Sequence, residues 1–274
     1  MWTQLTTTSY ITQITNLETP FSLVTYQANS GYSTNEDSIG FGKGEGFKCH
    51  TVVNGRCFVG NIKKKDSRGK SRLYNDRVMY SELNKYDVFP SYNYIDIGIG
   101  DGEEVKALAS FADRLFIFKK RILYIVNISQ GSDTGWYLES THNNMGVEAP
   151  YAVSDTDIGI IWINRYGLFL FNGQNIRNLA EKVSITDWQS DYTITAMVGY
   201  DPINRKVIVL NSNTGTSGYA YSFDSNSIVA IAQLFSSGIT KTNFFTDRYG
   251  QLLLFDARDT TTETPVDIWS GKEG

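Results

Sequence analysis

Histidine and cysteine are nearly missing from this 274-residue chain, which has two of each. The scarcity of histidine removes the commonest general base and metal ligand, and two thiols are too few for a disulfide scaffold. Long apolar runs are also missing: the longest, at about seven residues, fall far short of the roughly 18 a membrane-spanning helix needs. The opening "MWTQLTTTSYITQIT" lacks the basic and apolar regions of a signal peptide, so a soluble chain that is not exported by the Sec route is expected. Nor is there an excess of positive charge. The formal net charge of −4 makes the surface as a whole no trap for nucleic acid, and any such contact must be local. There is no Gly-Lys-Ser/Thr phosphate loop, no Gly-x-Ser-x-Gly elbow and no His-Glu-x-x-His.

What is abundant suits strands and turns: 17 Tyr, 15 Phe and 24 Gly, with many Thr, Ser, Ile and Val. The one place where cysteine and histidine gather, "CHTVVNGRC", reads as a hairpin. Asn54-Gly55 between apolar residues signals a type I′ turn, pairing Val53 with Arg56, Val52 with Cys57, and Cys49 with Gly60. By parity Cys49 then shares a face with Thr51 and Val53, and Cys57 shares the other with Val52 and His50. The thiols point apart, so neither a disulfide nor a metal centre is expected, and both fit as small apolar residues in a reducing compartment or a virion.

A repeated unit runs along the chain: an alternating strand, a turn, a more apolar strand, another turn, a third strand. Its apolar second strand starts at Leu115, Ile160, Val207 and Leu252, at spacings of 45, 47 and 45. A looser copy places Cys57 at the equivalent position, 58 residues before Leu115, with the extra length in "KKKDSRGKSR". A period of that size with three or four strands predicts an all-β chain, a β-propeller of about five to six antiparallel blades. Residues 41–274 supply the blades. Residues 1–40 hold N-terminal strands that close the ring or act as a linker. A pair of β-sandwiches would explain the strand count but not the even spacing. One short helix is expected over residues 178–188.

Candidate chemistry is thin. Asp101, Glu103 and Glu104 in "GDGEEV", and Asp155 and Asp157 in "SDTDIG", would serve a glycosidase only if held facing one another across a cleft. Both clusters sit at predicted turns, where Asp and Gly occur for backbone reasons. "SDTGW" resembles the Asp-box turn of sialidase propellers, but its spacing is too short and it occurs once. No catalytic residue, cofactor or metal is therefore assigned, and the chain is not expected to be an enzyme. Two basic clusters remain as interface or DNA-facing candidates. One is Lys63, Lys64, Lys65, Arg68, Lys70 and Arg72, read as a loop between strands; the other is Lys119, Lys120 and Arg121, read as a turn within a blade.

The stretch "DRVMYSELNKYDVFPSYNYIDIGIGDGEEVKALASFADRLFIFKKRILYIV" resembles the β-propeller proteins at the head-to-tail junction and tail nozzle of short-tailed bacteriophages, including the muzzle proteins of crAss-like phages. "GVEAPYAVSDTDIGIIWINRYGLFLFNGQNIRNLAEKV" continues the likeness, with Arg165, Gly167 and Gly173 at turn positions. The resemblance implies a virion protein, made in the host cytoplasm, that rings the tail channel with copies of itself. It implies contact with other tail or portal-proximal proteins and transient contact with passing DNA, without a membrane. Family members are usually longer. Two other readings stand beside it: a cellular propeller that binds proteins, and a carbohydrate-active propeller with carboxylates converging on its channel.

Overall fold

The computed structural model describes residues 46–65, 69–131, 133–234, 240–256 and 266–268. The strands expected within residues 1–40 lie outside them. Nineteen strands form five antiparallel sheets among the described residues. Blade 1 holds β1 (Cys49–Val53), β2 (Arg56–Lys65), β3 (Ser71–Tyr80) and β4 (Tyr94–Asp96). Blade 2 holds β5 (Ala107–Phe111), β6 (Arg114–Phe118), β7 (Ile122–Asn127) and β8 (Tyr137–Asn143). Blade 3 runs through β9 (Val153–Thr156), β10 (Gly159–Asn164), β11 (Gly167–Phe171) and β12 (Ile176–Asn178). Blade 4 comprises β13 (Met197–Asp201), β14 (Lys206–Leu210), β15 (Gly218–Ser222) and β16 (Ser227–Ile231), and blade 5 comprises β17 (Lys241–Thr246), β18 (Leu252–Asp256) and β19 (Val266–Ile268). Strands neighbour each other in sequence order within every sheet, and the first strands β1, β5, β9, β13 and β17 lie side by side in succession around an axis. The chain is a β-propeller.

The alternation of each strand explains the stacking. In blade 2, Ala107, Ala109, Phe116 and Phe118 face blades 3 and 4 in the largest core cluster, while Leu108, Leu115, Ile117 and Tyr124 face blade 1. Trp162, fully buried, stands edge-on to Phe118 of the neighbouring blade and stacks on Phe169 at 5.5 Å between ring centroids. The first hairpin has the register read from Asn54-Gly55, with Val53 opposite Arg56, Val52 opposite Cys57 and Cys49 opposite Gly60. The backbone is left-handed at both turn residues (φ 50° and 71°), as a type I′ turn requires. Cys49 and Thr51 are buried and His50 and Val52 exposed, as parity demands; burial pushes the Cys49 thiol up to about 12.

Three differences from the expected elements have physical causes. The repeat has a fourth, outer strand, as in β8, whose side chains are mostly exposed and so leave no apolar alternation to read. The helix α1 spans Ile185–Asp191 and not residues 178–188. Asn178 ends β12 with its Oδ1 taken by the Ala180 N–H, and Ser184 caps the helix by accepting from the Asp187 N–H at 3.1 Å. Residues 63–65 and 71–72 are strand and not loop: Lys63, Lys64 and Lys65 pair with Leu73, Arg72 and Ser71 in a continuing ladder. Lysine adds no obstacle to backbone pairing, and a bulge between Gly60 and Ile62, with Asn61 at φ 59°, lets β2 change course without ending. Residues 66–68, Arg68 among them, lie outside the described residues.

Candidate functional site

Antiparallel order fixes which segments share an end of the disc. In each blade the turn between the second and third strands and the linker to the next blade come out on one rim; the remaining hairpin turns come out on the other. The tip of β2–β3, the turn at Lys119, Lys120 and Arg121, the acidic segment with Asp101, Glu103 and Glu104, and helix α1 therefore all occupy the linker rim. Both basic clusters lie on the same side of the molecule as the carboxylates of "GDGEEV".

Lys119 is where the sequence expectation needs correcting. It follows β6, but its side chain is fully buried. Its ammonium donates to Asp76 Oδ1 at 2.7 Å, Asp101 Oδ2 at 2.8 Å and the Gly98 carbonyl at 3.0 Å, so all three protons are used. Burial alone would lower its pKa, yet the bonds to Asp101 and Asp76 outweigh that and raise it. Lys119 cannot touch DNA or a partner; it ties blade 2 to blade 1. A signal for this was present in the sequence. Lys119 continues the parity of Leu115 and Ile117, the residues on the blade 1 face.

The other two cations of the triplet are exposed but answered. The Arg121 side chain pairs with Glu103, whose second oxygen accepts the Arg121 backbone N–H at 3.0 Å, and Lys120 lies 3.6 Å from Glu148. Glu104 accepts from Lys48, Lys106 and Asn61, each at 2.7 Å, and the two lysines and Asn61 hold its carboxyl down at about 2 despite partial burial. The acidic cluster thus serves as the counter-charge of the rim. Asp101 also does the turn work read from the sequence, accepting the Glu103 N–H at 2.9 Å.

The first basic cluster is different in kind. β2 and β3 are ten residues each, while the second and third strands of blades 2 to 4 are five or six. The extra length carries a two-stranded arm roughly 15 Å along the strand direction. Lys63, Lys65, Lys70 and Arg72 are exposed; Lys64 is half-buried, its ammonium 5.2 Å from the Tyr74 ring centroid. Lys64 and Arg72 are direct cross-strand partners, a like-charge pairing that folding alone disfavours. A basic two-stranded ribbon of this form fits the phosphate backbone or the major groove of a duplex, or an acidic protein surface.

Near the axis, a cavity of about 340 Å³ lies between β9, β13 and β17, lined by Asp155, Tyr200, Asn243 and Thr246 among others. Asp157, in the turn after β9, is outside that lining. Asp155 is exposed along the cavity, but the blades around it take it partly out of bulk water; this desolvation pushes it up to about 6, against the lowering effect of a hydrogen bond from the Ser110 backbone. A carboxyl with a raised folded pKa favours the protonated fold. Its stabilisation is complete below the ordinary value of 3.8 and disappears as pH rises through about 6. Because the carboxylate reaches cavity water, the effect is discounted to about 1 kcal/mol, or roughly 2–4 °C in Tm. Asp155→Asn is therefore expected to melt higher than the parent at pH 7.5 and to lose that advantage at pH 4, by circular dichroism. Equal differences at both pH values would show the carboxyl to be fully solvated.

Among the described residues no group of three His, Cys, Asp or Glu side chains is placed to hold a metal, and no helix is long and apolar enough to cross a membrane. No protein-family model matches the chain, and no curated protein matches it. Solved structures similar to it include Hsv2 of Kluyveromyces lactis, with a TM-score of 0.46 and 8% identity over 77% of this chain and 70% of that one. Another is YCF48 bound to D1 peptide, with a TM-score of 0.45 and 9% identity over 84% of this chain and 62% of that one. At such identities the likeness concerns the fold alone.

Proposed function

We propose that this propeller is a non-catalytic structural module of a bacteriophage tail, a nozzle or neck component of the virion. In this reading copies of the chain ring the channel through which the genome leaves. The basic arm of blade 1 meets passing DNA or an adjoining tail or portal-proximal protein. The arm is the observation that carries the reading, because the repeat needs strands of five or six residues and the extra length concentrates Lys63, Lys64, Lys65, Lys70 and Arg72. The sequence resemblance supplies the phage context. Several residues in its motifs stitch blade 1 to blade 2: Asp76, Asp101 and Lys119.

The test replaces Lys63, Lys64, Lys65, Lys70 and Arg72 together with glutamine. The parent protein is expected to bind a random 30-base-pair duplex with a log–log salt slope of about −4, and the variant to lose most of that slope. Tail assembly and ejection are measured in parallel. Unchanged assembly, ejection and DNA affinity in the variant would remove the arm from the mechanism. A parent chain that stays monomeric beside its neighbouring tail proteins would sink the ring reading and return the chain to the class of protein-binding propellers.

A further inference from the structure

On the linker rim, between blades 2 and 3, a cavity of about 200 Å³ is lined by the turn at Lys120 and Arg121, the segment 144–148 leading into blade 3, the β10–β11 turn at Arg165 and Tyr166, and Tyr192 just after α1. We propose that this cavity binds a small organic acid through a single carboxylate, a ligand unconnected with the structural role proposed above.

Its walls are tied to one another by hydrogen bonds. Asn164, buried, donates through Nδ2 to the Asn144 and Gly146 carbonyls at 3.0 and 2.9 Å and accepts the Tyr166 N–H at 2.8 Å, which joins the linker segment to the β10–β11 turn. Gly146 and Val147 donate their N–H groups to the Arg121 and Lys119 carbonyls and so hold the linker against the β6–β7 turn. The approach there is close: a Cβ on Gly146 would lie 2.3 Å from the Lys119 carbonyl oxygen. The helix is fastened by Trp188, whose indole N–H donates to the Asn164 carbonyl at 2.8 Å, and the Tyr192 N–H goes to the Trp188 carbonyl. The backbone N–H groups of Gly146, Val147, Tyr166 and Tyr192 are thus engaged within the frame, and none of them is left for the main chain of a peptide. Recognition falls to side chains held on a rigid support.

Two of those side chains keep unused donors. The Arg165 guanidinium lies 5.6 Å from the Tyr166 ring centroid and makes no hydrogen bond or ion pair among the described residues; the Tyr192 hydroxyl makes none either. Burial, and then the charge of Glu148, raise the Tyr192 pKa, so the phenol stays protonated and able to donate throughout the neutral range. Charge selects the ligand. Arg121 is paired with Glu103 and Lys120 lies 3.6 Å from Glu148, which leaves Arg165 as the unmatched charge of the lining among the described residues. One carboxylate answers it, accepting two parallel N–H bonds from the planar fork. A phosphate monoester would bring a second negative charge into a lining that already holds Glu148, and a neutral ligand would leave the arginine unanswered. The rings of Tyr166 and Tyr192 in the lining give the apolar body of the acid a surface.

The full chain is titrated with benzoate, cyclohexanecarboxylate and 3-phenylpropanoate by ligand-observed NMR at fixed ionic strength, with benzamide, phenyl phosphate and the blocked peptide acetyl-Gly-Glu-Gly-amide as comparators. At least one of the acids is expected to saturate at about 1 mM or tighter, and roughly tenfold more tightly than any comparator. Arg165→Gln, in an exposed turn, should weaken that acid at least roughly tenfold with Tm unchanged, and Tyr192→Phe should weaken it roughly threefold. Glu148→Gln should improve phenyl phosphate more than the acid. The proposal is overturned if none of the acids saturates, if benzamide, phenyl phosphate or the peptide binds as tightly, or if Arg165→Gln binds the acid like the parent. It is also overturned if Glu148→Gln gains nothing for phenyl phosphate. Duplex binding and tail assembly are measured separately, so failure of this site and failure of the arm are distinguishable.

Discussion

Lys119→Ala should lower the melting temperature by roughly 5–10 °C, the largest loss expected from any single charged residue on the linker rim. Removing one member of a buried ion pair typically costs about 3–5 kcal/mol; Asp76 and Asp101 are about a quarter exposed and can rehydrate in part, so about 2–3 kcal/mol remains. The contribution survives over the whole neutral range. A raised lysine pKa leaves it complete below the ordinary value of 10.5, and it is lost only in more alkaline solution. Lys119→Met together with Asp76→Asn and Asp101→Asn should recover much of the loss, since an apolar replacement strands no carboxylate. If Lys119→Ala melts with the parent, the lysine is spectator to the blade 1–blade 2 joint. The same would follow if the triple variant were worse than the single one.

The second large effect is a backbone one. Gly159 opens β10 at φ 141°, and a Cβ placed there would lie 1.9 Å from the Phe171 carbonyl oxygen across the ladder. No rotamer change relieves a clash between Cβ and main chain, and the two strands it would separate carry Ile160, Ile161, Trp162 and Phe169 into the core. Gly159→Ala should cost about 3 kcal/mol or more, with a fall in Tm of roughly 6–10 °C. Gly131 is the control. A Cβ there meets nothing within 4 Å, and its alanine variant should stay within about 0.5 kcal/mol of the parent in a urea titration. Equal stabilities for the two variants would mean that β10 and β11 can part without loss.

The parts of the molecule that could be read from sequence are those set by local chemistry. Asn54-Gly55 dictated a turn type and so a register, and the 45-residue period exposed the blades because every second strand must be apolar on both faces. What escaped was set by distant partners. The turn at Lys119 was legible, and its parity pointed to the blade 1 face, but its ion-pair partners were not, because Asp76 and Asp101 lie 43 and 18 residues away. A lysine after an apolar strand otherwise looks like the end of the strand. The arm looked like a loop for a similar reason: charge density in "KKKDSRGKSR" conceals a ladder that depends on main-chain pairing. A groove lined by Tyr92, Tyr94, Trp136 and Tyr137 escaped in the same way: it draws on β4, the loop before it and the approach to β8, and only the stacking of two blades brings these residues to one place.

Repeated antiparallel blades look alike in a projection image, so one blade is hard to tell from the next. The ten-residue strands of blade 1 remove that ambiguity. They mark one blade and one rim at once, so even a low-resolution reconstruction of the protein can assign its rotational register and the direction in which its linker rim points.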